Sequence, residues 1–245
     1  MVFPDILDGP LAIAAAIMLV AGLLRGFAGF GSAMFAAPGF AVLFGPHDMV
    51  VIVTLCELAV SAQLWPGAYR HTEWRFVGPL TAASLLGMPL GGYVLMTVDP
   101  AVIARGIAAV VVVFVAVLAT GWRYGGPKRL GVTLPLGVFS GAMMATTSVG
   151  GPPVLLYMLA GPDKAVTNRA NIISYFGITG VALMGLFQVA GIVAADSLWR
   201  GAVLTPFMLA GALAGARLFR QSSEKLYRRT ALVFLLAAGL YGVLR

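Results

Sequence analysis

Long stretches of this chain carry no Asp, Glu, Lys or Arg, among them residues 26–46, 76–98, 106–122, 130–162, 170–195, 201–216 and 230–244. A helix needs about 20 mostly apolar residues to cross a bilayer, and a backbone in lipid must satisfy its own polar groups. Runs of this number and length specify an all-α, polytopic integral membrane protein with about eight helical segments. Only 10% of the residues are charged, and mean hydropathy is +0.96. A soluble domain has roughly a quarter of its residues charged.

The opening MVFPDILDGP has two Asp and neither Lys nor Arg. It lacks the basic start of a secretory signal, so the first apolar segment is expected to stay in the membrane. The formal charge of +7 does not argue for nucleic acid, because Lys and Arg cluster in short loops between apolar runs. With a lone Cys56 there is no intrachain disulfide, and no CxxC or metal-ligand cluster is present. No cofactor is expected.

The apolar runs and their Gly and Pro punctuation divide the chain as follows. Segment 1 is split into residues 9–28 and 32–44; segments 2, 3 and 4 are 48–68, 74–97 and 100–122. Segment 5 is split into 130–145 and 152–160; segments 6, 7 and 8 are 164–194, 197–219 and 223–244. Trp65, Trp74, Trp122 and Trp199 fall near the expected ends, where interfacial aromatics belong.

The two halves match. GLLRGFAGFGSAMFAAP (22–38) lies over GVFSGAMMATTSVGGPP (137–153), placing Gly22 on Gly137, Gly26 on Gly141 and Pro38 on Pro153. GPHD (45–48) matches GPDK (161–164), EWRFVGPL (73–80) matches LWRGAVLTP (198–206), and GMPLGGYVL (87–95) matches GALAGARLF (211–219). Four blocks in the same order indicate a duplication, with residues 1–125 and 126–245 as two transmembrane repeats of one membrane domain.

Charge placement bears on the orientation of the repeats. The loop between segments 2 and 3 holds Arg70, His71, Glu73 and Arg75, whereas its counterpart between 6 and 7 has Asp196 and Arg200. The loop between 7 and 8 carries Arg217, Arg220, Lys225, Arg228 and Arg229, whereas its counterpart between 3 and 4 has Asp99 before Arg105. The basic loop changes place between halves. That favours inverted repeats whose split segments 1 and 5 are re-entrant hairpins, with both termini outside. The alternative is eight full spans in parallel halves.

Broken backbone at membrane depth is tolerated where it is buried in protein or lines a cavity. Gly29, Gly31, Gly150 and Gly151 permit sharp turns, and a helix starting at such a tip presents N–H groups and a dipole suited to an anion. Ser32, Thr146, Thr147 and Ser148 add neutral donors beside the tips. The outer pairs Gly22/Gly26 and Gly137/Gly141 read instead as close helix packing. Intramembrane charges are costly and mark function by default. Arg25 is a deep counter-charge if segment 1 is a hairpin, and a cytoplasmic anchor if it spans fully. Glu57, mid-segment 2, is either a proton carrier or a partner of Arg25 or Arg169. Arg169, Asn171 and Tyr175 sit in the first turns of segment 6 as substrate-binding candidates, with Gln63 and Tyr157 behind them. Ser140-Gly141 superficially resembles a nucleophile motif, but no His lies in an apolar run to serve as its base.

The paired stretches GLLRGFAGFGSAMFAAP and GVFSGAMMATTSVGGPPVLLY resemble the signatures of the sulfite exporter TauE/SafE family, also called the toluene sulfonate uptake permease family. The resemblance covers essentially the whole chain. It implies transport of sulfite, sulfonates or related small sulfur-containing anions across the plasma membrane. The expected function is thus a secondary transporter using alternating access at a midplane site between two hairpin tips. An anion channel of the same fold, or a carrier of a small carboxylate, are the alternatives. The expected partners are a small anionic substrate, the lipid bilayer and a second copy in a homodimer, with no nucleic acid.

Overall fold

The structure is a computed structural model of the chain. It describes residues 9–99, 128–147, 152–161 and 163–223, together with positions 102, 226, 227, 230 and 233. Nearly all of segments 4 and 8, and Ser148, Gly150 and Gly151, lie outside the described residues.

Every regular element among the described residues is helical: α1 (Gly9–Ala28), α2 (Ser32–Phe44), α3 (Pro46–Ala68), α4 (Trp74–Thr97), α5 (Leu130–Thr147), α6 (Pro152–Ala160), α7 (Ala165–Val189) and α8 (Ala195–Gln221), with a single 3₁₀ turn at Tyr69–His71. Five of them, α1, α3, α4, α7 and α8, are long and apolar enough to cross a membrane. Pro66, Pro79, Pro89, Pro135 and Pro206 lie inside helices. Membrane helices tolerate such prolines because neighbouring groups re-satisfy the freed carbonyls. Leu86, Leu90, Tyr93 and Met96 line one face of α4 and are 62–75% exposed, which is the lipid-facing pattern of a span.

The division of segment 1 is confirmed at the residue level. Gly29 and Gly31 have φ of +87° and +96°, a region that L side chains rarely enter, and the helix stops between them. After the break α2 folds back along α1, since Gly39 packs against the tip of Ile17. Gly45, at φ +84°, then turns the chain into α3, which begins on Pro46. Glu57, halfway along α3, meets Arg25 and Ser32, so the hairpin tip lies beside the middle of α3.

Two close interfaces build the scaffold. α1 runs parallel to α8: a Cβ on Gly22 or Gly26 would come 2.1 Å from the carbonyl oxygen of Met208 or Ala212. Gly211 and Gly215 approach Leu19 and Leu23 in the same way from the other side. α4 runs parallel to α5: Gly87 and Gly91 sit against Val138 and Ala142 at 2.0 Å, and Gly141 sits against Ser84 at 2.0 Å. Only glycine permits this backbone contact, and dispersion between the surfaces then replaces the missing hydrophobic drive. α3 runs antiparallel to α7, with Ser61 and Trp65 over Gly177 and Leu58 over Gly180.

Polar groups collect at two opposite ends. At one, Asp48 accepts from Ser197 (2.7 Å) and Arg200 (2.9 Å). At the other, Lys128 bridges Glu73 and Asp163 and stands over the Phe76 ring. Trp65, Tyr69 and Trp74 form an aromatic cluster at this second end, with ring centroids 5.5–6.3 Å apart.

Some segment ends move. Segment 5 stays helical to Thr147, so Thr146 and Thr147 belong to the last turn of α5 rather than to a loop. Segment 6 ends at Val189, where Gly191 (φ +71°) forms the turn into α8.

Candidate functional site

The break between α1 and α2 creates two problems, and their solutions define the site. The last carbonyls of a helix lack partners, and in a buried break no bulk water supplies them. Here each is met. Arg169 donates to Gly26 O (Nη2, 2.5 Å; Nε, 3.2 Å) and to Phe27 O (3.2 Å). Tyr227 donates its hydroxyl to Ala28 O (3.1 Å), and Arg25 Nη1 donates to Gly29 O (2.5 Å). The Arg169 guanidinium also rests on the Phe219 ring, 4.6 Å from its centroid. Arg169, read from sequence as a substrate ligand, is therefore engaged as the C-terminal cap of α1.

The second problem is the start of α2. Its first intrahelical bond runs from Phe35 N–H to Gly31 O (3.0 Å), and Gly31 offers no side-chain cap. The N–H groups of residues 32–34 therefore have no partner within the helix, which is a helix N-terminus prepared for negative charge. Gly31, Ser32, Ala33 and Met34 line a cavity of about 40 Å³. At 10–15 Å³ per water, that is room for about three waters or one small oxyanion.

The cavity's charged wall is an ion pair between a buried Arg25 and a partly exposed Glu57. Arg25, 1% exposed, places Nε 3.1 Å from a Glu57 carboxylate oxygen. Its Nη2 donates to Ser61 Oγ (3.0 Å), and the guanidinium stands 5.2 Å from the centre of the Phe176 ring. The other Glu57 oxygen accepts from Ser32 Oγ. Glu57 is thus held by the cation and the hydroxyl nearest the uncapped turn of α2. Met144 and Leu155 line the same cavity from the ends of α5 and α6 that flank the second break, and Phe176, Gly180 and Leu183 line it from α7.

The sequence-derived candidates separate accordingly. Arg25, Gly31, Ser32 and Glu57 line the cavity, and Gly29 lies two residues away at the end of the break. Thr146 points elsewhere: its hydroxyl donates to Ala142 O (2.8 Å) and Gly91 O (3.1 Å), supporting the α4–α5 contact. Tyr175 is fully buried, and its hydroxyl exchanges hydrogen bonds with Ser84 (2.8 Å) and Ser140 (2.9 Å). This pairing occupies Ser140 as well. Asn171 accepts the Glu73 N–H (2.7 Å) and so fixes the start of α4. Tyr157 stacks near Phe76, centroids 5.7 Å apart. Ser148, Gly150 and Gly151 are outside the described residues, as is the Thr147 side chain.

Sequence reasoning passed over Thr54, Ser61, Phe176 and Gly180. A signal existed for two of them. Thr54 and Ser61 lie three and four residues from Glu57, and therefore on its face of α3. Phe176 and Gly180 share a face of α7 by the same spacing, but nothing local connects that face to Arg25.

Comparison with known proteins gives two findings. Residues 14–242 match the family model described as "Sulfite exporter TauE/SafE". The chain is also 25% identical, over 195 residues, to a protein of Cupriavidus necator described as "Probable sulfite/organosulfonate exporter TauE". That match covers 78% of this chain and 76% of the relative. No solved structure gives a significant match.

Proposed function

The chain belongs to the sulfite exporter TauE/SafE family of membrane transporters, and from this premise we propose that it is a secondary transporter of a small sulfur-containing oxyanion such as sulfite or an organosulfonate. The anion binds in the cavity at the start of α2. The carrying observation is the uncapped first turn of α2 opening, beside the Arg25 guanidinium and the Ser32 hydroxyl, into that cavity. An oxyanion has several acceptor oxygens and no donor. The site offers N–H groups, a hydroxyl and a planar cation, which match that chemistry.

The two halves act as inverted repeats in this reading. The support is an exchange of partners between them. The first helix of each half packs on the fourth helix of the other, α1 on α8 and α5 on α4, through the duplicated glycine pairs. Parallel α1–α8 and α4–α5 contacts and the antiparallel α3–α7 contact support a reading in which corresponding elements run in opposite directions. Two oppositely entering hairpins beside one cavity suit alternating access, in which rocking of one repeat against the other opens each face in turn.

Orientation follows from charge. The end that holds Arg70, Arg75, Lys128, Arg129 and Lys164 is the cytoplasmic one by the positive-inside rule, and the end with Asp48, Asp196 and Arg200 faces outward. The membrane is the plasma membrane.

The test is counterflow. Proteoliposomes loaded with unlabelled sulfite should accumulate radiolabelled sulfite transiently, and saturably with external concentration. Linear, non-saturating flux without an overshoot favours a channel, and the absence of flux with sulfite, sulfonates and carboxylates alike would refute the proposal.

A further inference from the structure

Resting on that reading, we infer that the Glu57 carboxylate is a tethered competitor of the substrate, and that each monoanion crosses together with one proton carried on Glu57. The cavity's anion-recognising groups are already engaged. Arg25 Nε lies 3.1 Å from one Glu57 oxygen, and Ser32 Oγ donates to the other. An oxyanion arriving at the first turn of α2 needs those same donors.

Charge balance decides how it obtains them. Arg25 and Glu57 together leave the empty site neutral. Adding a monoanion beside an ionised Glu57 would leave one uncompensated negative charge in a largely buried cavity, with two carboxylate-like groups on shared donors. Both are strongly unfavourable at low dielectric. Protonation removes both obstacles: the carboxylate takes up one proton to become the neutral acid, releases Arg25, and the anion pairs with the guanidinium. The loaded site is again neutral. On the opposite face the anion leaves, the acid gives up its proton, and the Arg25–Glu57 pair re-forms. No electron moves, and no covalent bond to the substrate forms or breaks.

Among the described residues that line the cavity there is no further charge; Arg169 of α7, which bears electrostatically on Arg25, stands outside the lining and donates to the Gly26 and Phe27 carbonyls. α1 and α2 face Glu57 with Arg25 and Ser32, α5 and α6 with Met144 and Leu155, and α7 with Phe176 and Gly180. On α3 itself, Thr54 and Ser61 are the polar neighbours. Cys56, next in sequence, turns to α8, where its sulfur contacts Gly201 O and Thr205 (3.5 Å each). Arg25 is thus the charged group, and Glu57 the acid, that meet at this cavity.

Two consequences separate this scheme from facilitated diffusion and from anion exchange. Transport is electroneutral, because the empty and loaded sites carry the same charge. Glu57→Gln should convert the protein into an obligatory exchanger, because its empty site holds an unpaired Arg25 charge and cannot reorient without an anion.

Methanesulfonate is the probe, since it is a monoanion that carries no proton of its own. In proteoliposomes with an internal pH dye, an inward methanesulfonate gradient should acidify the lumen, at a rate unchanged when the membrane potential is clamped at different values. E57Q should keep methanesulfonate counterflow, lose net uptake and lumenal acidification, and gain more thermal stability from the anion than the wild type does. If the wild type carries sulfite but not methanesulfonate, the readouts are taken with sulfite in a mildly acidic buffer, where it is the monoanion on both sides. Anion flux without proton movement, or flux that follows the potential, overturns the inference and leaves the transporter reading standing. The absence of any anion flux overturns the transporter reading itself. If E57Q does not fold even in methanesulfonate, the wild-type proton and potential measurements decide alone.

Discussion

At the scale of single residues, the site depends on where polar groups are denied water. Ser32→Ala removes one neutral donor from the cavity and leaves the fold intact. Because Glu57 holds that hydroxyl in the empty site and the anion takes it over, a loss of about 1 kcal/mol falls on both states, and anion affinity measured by titration calorimetry should change by less than roughly fivefold. The glycines of the break make a graded prediction. Ala at Gly31 meets nothing within 4 Å but must adopt φ +96°, so the cost is the backbone strain alone, about 1–2 kcal/mol. Ala at Gly29 adds contacts of 3.3 Å with Arg169 to similar strain, so it should lower the melting temperature further. Gly185→Ala, in an exposed helical position with open space around it, should be neutral or mildly stabilising. Equal losses at all three positions would contradict the strain argument.

Arg25 and Glu57 were legible as candidates because a charge inside an apolar run is expensive and demands a reason. The alternatives left open for Glu57 included pairing with Arg25, and that pair is present. The capping role of Arg169 was not legible. It depends on carbonyls 142–143 residues away in sequence, and only the tertiary fold reveals that they need donors. The same holds for Tyr175, whose hydroxyl partners come from α4 and α5.

At the scale of elements, the glycine pairs set the helix separation. Gly26→Ala on the α1–α8 contact and Gly141→Ala on the α4–α5 contact each bring a methyl group to about 2 Å from a backbone carbonyl oxygen. Each should cost roughly 1–3 kcal/mol as the helices are pushed apart. Gly131→Ala, which has open space, should show no such loss on thermal unfolding in detergent. Matching effects at Gly26 and Gly141 are the expected result if the two interfaces are equivalent. A loss at one alone would speak against that equivalence. The helices themselves were readable from hydropathy and punctuation: α2, α4 and α6 have the expected limits. Thr146 was misplaced because a Thr beside two Gly and two Pro reads as loop. Its hydroxyl back-bonds to Ala142 O, which lets α5 run on to the edge of the break.

At the scale of the molecule, duplication and charge bias in the sequence pointed to two halves of opposite orientation. What remained out of reach was which elements exchange partners, because glycine spacing shows that close packing occurs but not with whom. Topology makes a direct prediction. A cysteine placed at Tyr69 should react with an impermeant maleimide only after the cytoplasmic face is opened, and one at Asp196 should react from outside. Cys56 is buried and should stay silent. Labelling of both positions from the same side would contradict the proposed orientation.

The central claim is that a small oxyanion binds at the start of α2 against Arg25 and Ser32. It is tested most directly by anomalous diffraction from crystals grown with selenite, the heavier analogue of sulfite. The account predicts a selenium peak inside the cavity, within hydrogen-bonding reach of Arg25 and Ser32, with Glu57 displaced from one of them. Ordered selenite elsewhere, with the Arg25–Glu57 pair intact and the cavity empty, would contradict it.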